Sequence, residues 1–105
     1  MLDRSQTIDA ISTALKKFPE VVSYLFGSSA RGDYNNESDI DILILLPDYL
    51  SSRQRVEMEC EICGALLPIE LQTEIPISPV ILPNRVWSKR VTPFTINVTK
   101  DRILL

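Results

Sequence analysis

Hydrophobic residues return at two different intervals along this chain, and each interval predicts a different element. Ile8, Ile11, Ala14, Leu15 and Phe18 recur every three or four positions, the spacing of one helical face. With Ser5 as N-cap and Pro19 as a stop, they predict a helix over residues 5–17. Val21–Phe26 is short, β-branched and aromatic, which predicts a strand that delivers Gly27 to its C-terminal edge. The following Gly32-Asp33-Tyr34-Asn35-Asn36-Glu37 has turn chemistry and reverses the chain. A second strand then runs over residues 39–46, and its unbroken aliphatic stretch from Ile42 to Leu46 predicts burial on both faces of a sheet covered by helices.

Pro47 ends that strand, and Ser51 or Ser52 caps a helix through Leu67, with Val56, Cys60, Cys63 and Leu67 on one stripe and Pro68 closing the segment. A third strand is predicted from Glu74 to Leu82, where Pro76 and Pro79 each remove a ladder donor and argue for an edge or an irregular course. Asn84 to Lys89 predicts a short helix, and Thr92-Pro93 supplies the cap and first position of another through Lys100. Trp87 and Phe94 read as packing residues, since large aromatics usually serve burial. The order of elements predicts an α/β (α+β) fold, with a mixed three- to four-stranded sheet flanked by helices, in a single domain spanning residues 1–105.

Composition narrows the chemistry. Apolar residues make up 45% and charged residues 24% of the chain, the balance of a globular domain that buries one modest core. The longest apolar run falls far short of the roughly 20 residues that span a bilayer, and the N-terminus lacks a secretory pattern, so the expectation is a cytoplasmic protein with no membrane contact. Histidine is absent, which excludes a His-based triad and a His-ligated zinc. A net charge of −3 without a basic cluster gives no support to nucleic-acid binding; a small nucleotide fits better. Cys60 and Cys63 form a C-x-x-C inside a predicted helix, with no second pair to complete a metal site, and read as two reduced thiols.

The informative stretch is Tyr24 to Leu46. On a strand, residues i and i+2 point the same way, so Asp39 and Asp41 project together while Ile40 and Ile42 face the opposite side. Two adjacent carboxylates raise the pKa of at least one unless a cation neutralises them. Mg²⁺ suits such a pair, because it takes oxygen ligands, keeps several waters and is usually held by one or two carboxylates plus substrate phosphates. Upstream, Gly27 permits backbone angles and close approach that a side chain would prevent, and Ser28 and Ser29 offer hydroxyl and amide donors to phosphate oxygens. On its own, Asp-Ile-Asp would equally mark the solvated start of a strand. The Gly-Ser bend about a dozen residues earlier favours a phosphate and metal site.

These residues resemble the signature of the DNA polymerase β-like nucleotidyltransferase superfamily: an apolar residue, Gly-Ser, a spacer, then Asp-x-Asp. The longer form, Phe26-Gly27-Ser28-Ser29-Ala30-Arg31-Gly32 through Ser38-Asp39-Ile40-Asp41, is similar to the small single-domain prokaryotic members called minimal nucleotidyltransferases. The resemblance implies that Gly27 and Ser28 hold the triphosphate, Arg31 lies near the phosphates, and Asp39 and Asp41 bind Mg²⁺ or Mn²⁺. It further implies transfer of a nucleotidyl group, AMP from ATP, to an acceptor hydroxyl. The acceptor would sit on a partner such as the helical HEPN-type proteins that accompany these enzymes in toxin–antitoxin pairs. A second copy of the chain, forming a homodimer, is the other way to complete the open side of the cleft. Family members carry a third carboxylate on a later strand. The favoured register puts Pro76 in that place, which leaves Glu74 as the stand-in catalytic acid and Glu70 as a more distant candidate. That departure keeps open a rival reading, a catalytically degenerate module that binds nucleotide or protein without turnover, and beyond it a structural subunit that binds no nucleotide.

Overall fold

The computed structural model describes residues 3–105. Helix α1 spans Arg4–Leu15 and starts from Asp3 rather than Ser5: the Asp3 carboxylate accepts from the Gln6 amide at 2.7 Å, and the Gln6 side chain accepts from the Asp3 amide at 3.0 Å. This reciprocal cap satisfies two donors at once and outcompetes a lone serine. Strand β1 (Val22–Phe26) follows, then a single helical turn, α2 (Ser28–Arg31), then strand β2 (Ile40–Leu46). The long helix α3 (Ser52–Thr73) leads to strand β3 (Ile77–Pro83), the short helix α4 (Asn84–Lys89), helix α5 (Pro93–Asp101) and a two-residue strand β4 (Ile103–Leu104). The expected cap of α5 is present, with the Thr92 hydroxyl accepting from the Thr95 amide and Pro93 in the first position.

The four strands form one mixed sheet in the order β3-β2-β1-β4. β1 runs antiparallel to β2 and β4, and β2 runs parallel to β3. β3 therefore lies at an edge, where Pro79 does least harm to the ladder. β2 is central and sandwiched, as its aliphatic run predicts. Its even positions Ile40, Ile42, Ile44 and Leu46 pack with Leu25 against Ile11 and Leu15 of α1 and Ile62 and Leu66 of α3. Its odd positions Leu43 and Leu45 pack with Phe26 against Trp87 of α4 and Val98 of α5. Trp87 is buried, and Phe94 meets both Phe26 and Trp87 edge to face at 5.9 and 6.3 Å, so both aromatics serve packing.

Helix α3 differs from expectation in two linked respects. It passes straight through Pro68 and ends only at Glu74, whose left-handed backbone (φ 59°) closes it two residues before Pro76. Pro68 is tolerated because it and Gly64, the residue whose carbonyl it leaves without an amide partner, both lie on the exposed face, where water replaces the lost bond. The inward stripe is Met58, Ile62, Leu66, Ile69 and Thr73, which needs the turns beyond Pro68. Val56, Cys60, Cys63 and Leu67, the stripe read from the sequence, point outward; Val56 and Leu67 are about half exposed. Among the described residues, no helix is long and apolar enough to cross a membrane.

Candidate functional site

The register of β1 against β2 assembles the site. Phe26 pairs with Asp41, so Gly27, the next residue, leaves the sheet beside that carboxylate. Gly27 adopts φ 72° and ψ −155°, a conformation that side chains oppose, and a Cβ there would stand 2.5 Å from Asp41 Oδ2. Glycine is thus required twice, by the backbone and by the carboxylate packed against it. The bend starts α2, with the Gly27 carbonyl accepting from the Ala30 and Arg31 amides at 3.1 Å each. The amides of Ser28 and Ser29 open that turn, where helical geometry offers them no partner. Gly32 (φ 85°) ends it, and the chain loops back to Asp39.

Asp39 is exposed, one position ahead of β2; Asp41 is part-buried within the strand. The carboxyl of Asp41 is held above its ordinary value, first by burial, then by the negative charge of Asp39, with Arg31 pulling the other way. The two acids and the arginine therefore act on one another electrostatically. Arg31 divides its guanidinium between Asp33 Oδ2 at 3.1 Å and Asp101 Oδ2 at 3.2 Å, which ties α2 to the end of α5.

The acid expected on the third strand is not there. Because α3 continues to Thr73, β3 begins only at Ile77, and Glu74 becomes an exposed helix cap outside the sheet. Glu70 is committed elsewhere, its Oε1 accepting from the Ile77 amide at 2.8 Å where β3 starts. Pro76 precedes the strand, and its carbonyl accepts from the Ile40 amide at 2.9 Å. The residue level with Asp41 on β3 is Ser78, whose hydroxyl donates to Asp39 Oδ2 at 3.1 Å. Sequence reasoning passed over Ser78, since its importance lies in a register set by the end of α3. Among the described residues, no group of three His, Cys, Asp or Glu side chains gathers as a metal cluster. The donor set is a pair of hard carboxylates of like charge, with the charged form of Asp41 disfavoured by burial and by its neighbour; this suits a divalent cation that completes its shell with water and phosphate.

Gly27 and Asp41 thus meet at one end of the hairpin, where Ser28 and Ser29 open the turn that follows and Asp39 stands just ahead of β2. A cleft of about 500 Å³ between α4, α5 and β1 involves none of them.

A curated protein of Methanocaldococcus jannaschii, provisionally named a protein adenylyltransferase, is 42% identical over 72 residues, 68% of this chain and 67% of its own length. Two crystal structures share the fold. One is described as a toxin-antitoxin with AMP-PNP (TM-score 0.56, 24% identity, 91% of this chain and 69% of that one). The other is a provisionally assigned nucleotidyltransferase from Sulfolobus solfataricus (TM-score 0.55, 21% identity, 94% of this chain and 76% of that one). At these identities the two structures speak for architecture alone, a mixed sheet flanked by helices. A family model, described as a nucleotidyltransferase domain, matches residues 8–102, from α1 to the end of α5, so the chain belongs to the nucleotidyltransferase domain family.

Proposed function

We propose that the chain binds a Mg²⁺-loaded nucleoside triphosphate, ATP, and transfers its AMP moiety to a hydroxyl on a partner protein. The observation that carries this reading is the contact between the Gly27 bend and the Asp41 carboxylate. It supports placing phosphate oxygens at the bend and a cation at the carboxylate side by side. In the transfer, the acceptor oxygen forms a bond to the α-phosphorus, the bond from that phosphorus to the bridging oxygen breaks, and pyrophosphate leaves while the hydroxyl proton passes to solvent. Gly27, Ser28 and Ser29 seat the triphosphate through backbone amides and hydroxyls, and Arg31 offsets charge developing on the phosphates. Asp39 and Asp41 hold the divalent ion, with Ser78 orienting Asp39. That ion supplies charge neutralisation and alignment of attacking and leaving oxygens. The names of the relatives support a protein acceptor, from the provisionally named M. jannaschii protein adenylyltransferase, and a toxin–antitoxin setting with an adenine nucleotide, from the toxin-antitoxin with AMP-PNP; the helical HEPN-type character of the partner rests on the resemblance of the Gly27–Asp41 signature alone.

Ser78 in the position level with Asp41 favours a second reading, in which the domain binds nucleotide and partner without turnover. Incubation with α-labelled ATP, Mg²⁺ and candidate acceptor proteins, comparing wild type with Asp39→Ala and Asp41→Ala, tests the first. Label reaching an acceptor only with the wild type is expected; equal labelling by all three would reject the assigned roles. Calorimetric binding of ATP and Mg²⁺ with no labelling of any acceptor would select the binding module.

A further inference from the structure

The geometry points to Arg4 as a positioning residue that holds both walls of the nucleotide groove at a fixed spacing; the inference rests on the functional reading above. Arg4 opens α1, where the helix dipole disfavours a cation. Its guanidinium leaves that helix and reaches the site. One Nη2 donates to the Ser38 carbonyl at 2.7 Å and the Asn35 carbonyl at 3.1 Å, and Nη1 makes a long 3.5 Å contact to Ser29 Oγ. The same group lies over the Tyr34 ring, 4.8 Å from its centroid.

These partners are not arbitrary. Ser29 belongs to the phosphate bend, and the Ser38 carbonyl is the peptide unit that introduces Asp39. The turn between them is held internally, by Asn35 and Ser38 bonding to one another and by the Asn35 side chain accepting from the Glu37 amide. Among the described residues, Arg4 alone reaches that turn from outside with side-chain hydrogen bonds. Without it, Asp39 sits at the end of an exposed turn held by that turn's own hydrogen bonds and by the Ser78 hydroxyl. A planar guanidinium carries its donors on separate nitrogens in a fixed fork and so spans oxygens on both sides of the turn, whereas an ammonium gathers its three donors on one nitrogen at the end of a flexible stem. Arg4 touches no reacting atom, so its effect is expected in the geometry of the metal ligand.

The test uses the full chain with Arg4→Met and Arg4→Lys, Mn²⁺ and the nonhydrolysable analogue AMP-PNP. Groups that orient metal ligands typically contribute about 10–100-fold in metal affinity. Both variants are expected to bind Mn²⁺ with AMP-PNP at least about tenfold more weakly than wild type, while amide exchange quickens over Asn35–Asp39 and stays slow over Ile42–Leu46. Wild-type affinity in Arg4→Lys would overturn the proposal in favour of a simple charge effect on the phosphates. Unchanged affinity and exchange in Arg4→Met would overturn it outright, as would exchange rising uniformly through the core, the mark of general destabilisation. Failure of the functional reading is distinguishable: the unmutated chain would not bind Mn²⁺ and AMP-PNP at all.

Discussion

Replacing Gly27 with alanine tests the geometry on which the proposed chemistry depends. The new Cβ would lie 2.5 Å from Asp41 Oδ2, 3.4 Å from its Cγ and 3.5 Å from its Cβ, so the carboxylate has to swing away. Forcing that side chain off its rotamer costs about 0.5–1.5 kcal/mol. The backbone at φ 72° and ψ −155° adds its own penalty, about 1–3 kcal/mol for a residue other than glycine. Together they amount to about 1.5–4.5 kcal/mol, which a domain with about 5–15 kcal/mol of stability survives. At about 4–8 °C per kcal/mol for a chain near this size, melting falls by about 6–36 °C. All three crowded atoms belong to Asp41, so a double-mutant cycle isolates the contact. In an Asp41→Ala background only a Cβ at ordinary van der Waals distance remains, and Gly27→Ala should cost about 0.5–1.5 kcal/mol less there than in the wild type. Urea unfolding gives the four stabilities, and calorimetry with Mg²⁺ and ATP reads the displaced carboxylate as lost binding. Equal costs in the two backgrounds, or full nucleotide binding by the alanine variant, would refute the account of why glycine stands at this position.

Three further outcomes are expected. The raised carboxyl of Asp41 means that at this site the folded, metal-free protein holds its proton more tightly than the unfolded chain, so the contribution of Asp41 to stability is fully present below the ordinary value of 3.8 and is lost as pH rises through the raised one. Asp41→Asn should flatten that decline, and Mg²⁺ should reverse it; melting curves of wild type and variant that run parallel with pH would contradict the assignment. Ser78→Asp sets a third carboxylate level with Asp41, so metal affinity should rise and metal-free stability fall, as calorimetry and melting would show; unchanged metal affinity would remove Ser78 from the site. Asp101→Asn frees one side of the Arg31 guanidinium for phosphate, so ATP affinity should increase with little change in melting temperature, because exposed ion pairs contribute little; weaker ATP binding would show that Asp101 orients Arg31 for its task.

What could be read from the sequence was local. The apolar run ending at Gly27 and the run opening at Asp39 lie within one hairpin, and the aliphatic alternation-free stretch of β2 announced a strand covered on both sides. The third strand was misplaced by three residues because its start depends on the end of α3, and that helix carries a proline on its wet face, where it breaks nothing that water cannot replace. Two stripes of equal period run along α3, and only tertiary packing decides that Ile62 and Leu66 go in while Val56 and Leu67 stay out. β4 left no periodic signal: it is two exposed residues that pair with Tyr24 and Leu25. Arg4 was equally invisible, its partners lying far along the chain, though a cation in the first turn of a helix is a hint that the side chain is employed elsewhere.

The hairpin has one more implication. Every proposed nucleotide and metal contact falls within the continuous segment from Gly27 to Asp41, closed by neighbouring antiparallel strands, whereas the parallel strand that braces it returns only after the whole of α3. Chemistry and scaffold are therefore separable along the polypeptide: recognition is written in one short cassette of small loop-closure cost, and rigidity is supplied from a distance. The outer faces of the helices, away from Arg4 and the core stripes, can change toward new docking surfaces while the cassette stays intact.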